Sequence, residues 1–254
     1  MSEFSCNPEV KGQHGWTPLN AACGGGHLVV VEKLVSEYGC DMDARDNHGY
    51  TALHVAAGHG REEVVRELIA KYKCPVDCVD SSGNTPLHWA GTGGHTGVVR
   101  MLLSEFGADA TAHNKSSDTV LNLAALHGHA ELVGVLVSEF GCSPDVKGQY
   151  GWTPLHAACS GGHLVVVKLV SEYGCDLDTR NDDGHTLLHV AAALCGREEV
   201  VRELIAKYKC PADCVDSSGK TPLRWAAIKG HTGVVGMHLT EFGADVYNCP
   251  RQQW

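Results

Sequence analysis

The stretch CPVDCVDSSGNTPLHW, residues 74–89, sets Cys74, Cys78 and His88 close together in the chain. Two thiols followed by an imidazole suggest half of a zinc site. A second stretch bears on that chemistry. CPADCVDSSGKTPLRW, residues 210–225, keeps both cysteines as Cys210 and Cys214 but carries Arg224 where the first has His88. A zinc ligand could not become an arginine in an equivalent working site. Other catalytic patterns are missing too. There is no GxGxxG after a strand, no GxxxxGKS/T, no HExxH and no GxSxG. The acid pairs Glu62–Glu63 and Asp182–Asp183 fall at helix starts and turn tips, where a favourable interaction with the helix dipole suffices to explain them. The sequence therefore predicts no enzyme, no metal and no cofactor.

Composition narrows the classes further. The chain has 254 residues, 43% hydrophobic and 20% charged, with a formal net charge of −10. That charge argues against a nucleic-acid backbone as partner and mildly favours a basic or neutral protein. No apolar run reaches the ~18 residues of a membrane span, and the start MSEFSCNPEV lacks the features of a secretory signal. A cytoplasmic, reducing setting with free thiols follows as the expectation.

The elements that must position these residues repeat. Related tetrapeptides begin at Thr17, Thr51, Thr85, Thr119, Thr153, Thr186 and Thr221, with spacings of 34, 34, 34, 34, 33 and 35. A longer period of 136 lies above this: KGQHGWTPL at Lys11 returns as KGQYGWTPL at Lys147, and REEVVRELIAKYKCP at Arg61 returns at Arg197. The second block of four has lost a residue near Lys168 and gained one around Ala193–Cys195, which restores register. Each unit reads as a Gly-bearing turn and a Thr cap, with Pro at the first helical position in most units. A short Ala-rich helix, a glycine break and a second helix with Val64, Val65, Leu68 and Ile69 at helical spacing follow.

The pattern DxxGxTPLHxAAxxGH, then an apolar helix, then GAD, resembles the ankyrin repeat across essentially the whole chain. The resemblance implies an all-α repeat solenoid of stacked helix-turn-helix units with β-hairpin-like tips. Seven repeats are assigned to residues 11–43, 44–77, 78–111, 112–145, 146–178, 179–213 and 214–248, after a partial repeat end at 1–10 and before a tail at 249–254. The extra residue of the 34-residue period predicts a slightly longer second helix. SEFSCNPEVKGQ at Ser2 matches SEFGCSPDVKGQ at Ser138, as though the chain were cut from a longer array.

Repeat columns account for most of the cysteines and histidines. Ten of twelve cysteines stand where small residues stand in other repeats, including Cys23 and Cys159 in an alanine column. Nine of sixteen histidines are consensus positions: His54, His88, His156 and His189 after the Thr cap, and five more after the mid-repeat glycine. His238, where the third repeat has Leu102, reads as a step toward a polar end face.

The resemblance also implies a concave face lined by turn tips and first helices, where a protein partner binds. The variable positions there are His14, Trp16, His48, Tyr50, Asn84, Lys115, Asp118, Tyr150, Trp152, Asp183, His185 and Lys220. Trp and Tyr anchor interfaces more than most residues; the plainer alternative is that these rings pack along the neighbouring hairpin. Trp89 and Trp225 read as core or groove wall. In the fourth repeat Ser117 replaces the tip glycine, Val120 the proline and Asn122 the histidine, either a tuned binding point around Lys115 and Asp118 or drift. The function expected is a monomeric, non-enzymatic interaction scaffold. The alternatives are a spacer within a larger signalling or cytoskeletal protein, or a Cys/His metal- or thiol-dependent site.

Overall fold

A computed structural model describes residues 7–241. Cys6 and most of the partial repeat end assigned to 1–10 lie outside the described residues, as do the end of the seventh repeat and the tail 249–254. Among the described residues there are fourteen α-helices and no strand. The first helices of the repeats are α1 (Pro18–Gly25), α3 (Ala52–Gly58), α5 (Pro86–Gly93), α7 (Val120–Leu126), α9 (Pro154–Gly161), α11 (Leu187–Val190) and α13 (Pro222–Lys229). The second helices are α2 (Leu28–Ser36), α4 (Glu62–Ala70), α6 (Thr96–Ser104), α8 (Ala130–Ser138), α10 (Leu164–Glu172), α12 (Glu198–Ala206) and α14 (Thr232–Thr240). All second helices run nine residues, whereas α1, α5, α9 and α13 run eight.

Local chemistry sets where each first helix begins. Thr85 and Thr153 are extended, and their hydroxyls accept from the backbone N–H of His88 and His156 at 3.4 Å. The histidine answers: its Nδ1 lies 3.1 Å from the Thr85 N–H and 3.3 Å from the Thr153 N–H. This is a capping box with imidazole in the place of the usual carboxylate. Asn122 does the same job in the fourth repeat, its Oδ1 accepting from the Thr119 N–H at 3.1 Å. At the other end Gly94, with φ 70°, takes the left-handed conformation that closes α5 and lets its N–H reach the Ala90 and Gly91 carbonyls.

The tips are hairpin-like. The Asp46 N–H donates to the Tyr50 carbonyl at 3.1 Å, and the Asp80 N–H to that of Asn84 at 3.0 Å. Successive tips are joined by single strand-like bonds, Ser81 N–H to His48 O at 3.0 Å and Lys115 N–H to Ser82 O at 3.0 Å. The one-residue insertion seen in the sequence becomes a π-helical turn at Ala191–Cys195, which prolongs α11 before Gly196 breaks it. An extra residue inside a helical span is accommodated in that way because the wider turn adds one residue without changing direction.

The chain divides into two compact units: residues up to Ala124 with Ser138–Cys142, and Ala125–Val137 with the chain from Ser143. In the first, α3 packs between α1 and α5, and α4 between α2 and α6. Its core is Leu19, Leu53 and Leu87 from the first helices with Val64, Leu68, Val98 and Leu102 from the second, all at most 1% exposed. Each such side chain contributes roughly 1.5–3 kcal/mol on burial. Ala56, Ala57 and Ala90 are fully buried between them and let the first helices approach closely. In the second unit Leu155, Leu188, Val167 and Leu204 play the same parts. His238 is 0% exposed. The expectation of a polar end face at this position is therefore wrong: its column is the core column of Leu102, and burial holds its imidazole pKa down.

Candidate protein-binding surface

The histidines after the Thr caps are structural. Each sends Nε2 to a backbone carbonyl of the next repeat: His54 to Asn84 at 3.1 Å, His156 to His185 at 3.2 Å and His189 to Lys220 at 2.9 Å. His88 reaches two carbonyls, Ala112 and Asp118, each at 3.1 Å. A nitrogen facing a carbonyl must carry the proton, so Nε2 donates and Nδ1 accepts from the Thr cap. Burial lowers the pKa of all four, and that of His156 to about 4, so these rings are neutral. The histidines after the glycine break point the opposite way. His95, His163 and His231 donate from Nε2 to Gly58, Leu126 and Ala193 of the preceding repeat at 2.9, 3.0 and 3.1 Å. These two sets of imidazoles thus bond the repeats that carry them to the repeat after and the repeat before.

The cysteines are as plain. Cys23 and Cys159 are fully buried, and desolvation pushes the Cys23 thiol up to about 12. Cys78 and Cys214 rest against the Thr51 and Thr186 hydroxyls at 3.7 and 3.5 Å. Among the described residues no group of three or more His, Cys, Asp or Glu side chains is placed to hold a metal ion.

Rings gather on the tips and first helices of the first unit. Trp16, Tyr50 and Trp89 are half-buried and line a cleft of about 140 Å³ with His54, Val55 and Gly58. Trp89 meets Tyr50 edge-on, with centroids 4.9 Å apart. Its indole N–H donates to Asp80 Oδ2 at 2.9 Å, while Asp80 Oδ1 accepts from the Ser82 and Asn84 backbone N–H groups at 2.7 and 2.9 Å. Burial opposes the charge on Asp80, but these donors outweigh it and hold the carboxyl below its ordinary pKa. Above Tyr50, His48 stacks obliquely at 5.6 Å and His14 follows at 6.5 Å.

The second unit repeats the motif. Trp225 donates to Asp216 Oδ2 at 2.7 Å and meets His185 edge-on at 5.4 Å. His185 Nε2 lies 3.2 Å from the same carboxylate oxygen. The Lys220 ammonium stands 5.2 Å from the centre of the Trp225 ring. Trp152 stacks on His156 at 6.5 Å, and Tyr150 is 63% exposed at a tip where its φ is 55°.

Of the twelve residues singled out in the sequence, Trp16 and Tyr50 share the cleft, with His48 and His14 continuing the row of rings. Asn84 is tied to the fold: its amide donates to Asp80 Oδ2 at 3.1 Å and its oxygen accepts from Asn114 at 2.8 Å. The Lys115 ammonium caps the Ser81 carbonyl at 2.7 Å, and the Asp118 carbonyl receives His88. In the second unit His185 and Lys220 meet at Trp225, while Tyr150 and Asp183 are exposed. Sequence reasoning missed the pairing of each first-helix tryptophan with the tip aspartate nine residues before it. The signal was present, since DSSGNTPLHW and DSSGKTPLRW both carry it.

A family pattern described as ankyrin repeats (3 copies) matches residues 2–80, 30–114, 72–147, 106–181 and 173–248. The chain belongs to the ankyrin-repeat family. Ankyrin repeats generally mediate protein binding and are generally non-catalytic. The array is similar to the solved structure of the human ASB11 ankyrin repeat domain, with a TM-score of 0.72 and 26% identity over 85% of this chain and 96% of that one. Comparison with curated proteins finds no matching sequence. No helix among the described residues is long and apolar enough to cross a membrane.

Proposed function

We propose that this ankyrin array is a non-enzymatic protein-binding module that takes a partner protein on the surface made by its hairpin tips and first helices. The observation that carries this reading is the set of large rings held there at the surface. Trp16, Tyr50 and Trp89 form a cleft in the first unit; Tyr150, Trp152 and Trp225 are presented in the second. A turn needs no large side chain, and Tyr150 is kept mostly exposed in a left-handed conformation that costs about 1 kcal/mol. Rigid aromatics with few rotatable bonds are what interface anchors are made of. The described cysteines are free thiols, which suits work in the cytoplasm, and we take the working form to be a monomer.

The test is affinity capture from cell extract with the wild-type chain and with a Trp16→Ala, Tyr150→Ala, Trp152→Ala triple variant whose melting temperature is measured in parallel. A partner retained by the wild-type chain and lost from a folded triple variant supports the reading. A folded variant that keeps every partner would assign the array to a passive spacer instead.

A further inference from the structure

The two tip-and-tryptophan motifs differ in what stands over the tryptophan. In the second unit Trp225 carries the chain's own ammonium, that of Lys220, over its ring. In the first unit the position of Lys220 is Asn84, whose amide is engaged by Asp80 and Asn114. Among the described residues no lysine or arginine stands over Trp16, Tyr50 or Trp89. The nearby Arg45 guanidinium donates to the Gly49 and Val79 carbonyls at 2.8 and 2.6 Å.

The second repeat differs from the third in a matching way. Asp46 corresponds to Asp80, and its Oδ1 accepts from the His48 and Tyr50 backbone N–H groups at 2.8 and 2.9 Å. Nine residues on, where Trp89 and Trp225 donate to their aspartates, stands Val55. Asp46 Oδ2 is buried and has no hydrogen-bond partner. The cleft is lined by Val55 together with Trp16, Tyr50 and Trp89. It is thus flanked by three electron-rich rings, and two of its walls are held by carboxylates, one of them with an oxygen uncompensated. Both carboxylates also act on Tyr50: its hydroxyl pKa is raised first by burial, then by the charges of Asp80 and Asp46. At about 140 Å³ the space suits a side chain; pockets for drug-sized ligands run to ~300–1,000 Å³.

We propose that this cleft receives the side chain of an arginine on the partner protein, stacked among Trp16, Tyr50 and Trp89, with Asp46 and Asp80 supplying the countercharge. A planar guanidinium stacks on rings and donates at its edges, which a spherical ammonium does less well. The net charge of −10 favours the approach of such a group. This rests on the protein-binding reading above and adds the chemistry of one anchor to it.

The experiment uses the whole chain and two peptides, acetyl-Gly-Arg-Gly-amide and its citrulline counterpart, which keeps the planar N–H edge and removes the charge. Tryptophan indole N–H signals are followed by NMR at low ionic strength. The arginine peptide should shift the Trp16 and Trp89 signals saturably, and the citrulline peptide should bind roughly tenfold more weakly. Asp46→Asn should weaken arginine binding by a similar factor. It should fold, because Asn114 and Asn181 hold the same tip position and accept the same backbone bonds. Asn84→Lys, which copies Lys220, should weaken it too by setting a cation of the chain's own at Trp89. No shift, equal binding of citrulline, or binding unchanged in both variants overturns the proposal. A captured partner that is lost from the triple alanine variant but fully kept by Asp46→Asn and Asn84→Lys would leave the protein-binding function standing and remove the arginine.

Discussion

Lowering the pH from 7 to 5 should destabilise this array through rings too well buried to take a proton, and His156 allows the size to be worked out. Its ordinary pKa is 6.5 and its folded value is about 4, with desolvation the largest cause and the bond to the His185 carbonyl opposing it. The folded pKa is the lower one, so between these values the unfolded chain binds the proton that the folded chain refuses. Stability is complete above pH 6.5 and falls as the pH drops toward 4. The full loss is about 3 kcal/mol, of which about 2 kcal/mol has gone by pH 5. Ordinary carboxyl pKa values of about 4 lie below that interval, so histidine titration dominates it. His156→Asn isolates the effect, because Asn122 shows that an amide can close the same box. At pH 7 the variant should be less stable by about 1–2 kcal/mol, having lost the bond to the His185 carbonyl and some volume. At pH 5 that deficit should shrink to nearly nothing or reverse, since asparagine has no proton to refuse. Urea midpoints from far-UV circular dichroism at both pH values give the comparison. A deficit of equal size at pH 7 and pH 5 would refute the argument that a buried neutral ring at this position couples folding to protons.

Ser117 sits at a tip with φ 65° where other repeats have glycine, so Ser117→Gly should raise stability by about 1 kcal/mol in urea titration; no gain would mean that the strain is relieved elsewhere. Gly49→Ala should cost about 2 kcal/mol or more, since φ is 81° and the added methyl would lie 2.7 Å from the Ser81 backbone nitrogen. A melting temperature within a degree of wild type would count against the close approach of those two tips. Cys23 and Cys159 should resist a thiol reagent in the folded chain and react fully in urea, as their burial requires; fast native labelling of either would show that the first helices open readily.

How much of this was legible in the sequence depended on how far apart the interacting residues lie. The Thr caps, the prolines at the first helical turn and the Leu and Val spacing are local, so the repeat pattern and the all-α stacked architecture could be read directly. The insertion around Ala193–Cys195 was visible as a register change, but its form as a π-helical turn is a matter of backbone geometry that residue types do not encode. Both histidine columns were visible as columns. Their opposite directions were not, because each Nε2 finds its carbonyl 24 to 38 residues away, across a repeat boundary. His238 was misread because its own polarity was weighed above its column, where Leu102 is fully buried.

The aromatic face shows why neighbouring repeats of nearly the same sequence need not do the same work. The tip aspartate is anchored in both motifs by the backbone N–H groups of its own hairpin, so its carboxylate is in place whatever stands nine residues later. With tryptophan there, the second oxygen is satisfied and the ring becomes a rigid wall. With Val55, the oxygen is left over and a cleft opens beside the wall of the next repeat. A single change from a large ring to a small branched side chain thus leaves a buried carboxylate oxygen unpaired near Tyr50, where an indole N–H would have closed it. One residue before the Thr cap, Lys220 covers its tryptophan with an ammonium, whereas Asn84 is engaged by Asp80 and Asn114. The second unit repeats the valine, as Val190, but has Asn181 where the first has Asp46 and Lys220 where it has Asn84; the leftover carboxylate oxygen and the uncovered tryptophan ring, rather than the number of rings, distinguish the first unit's cleft.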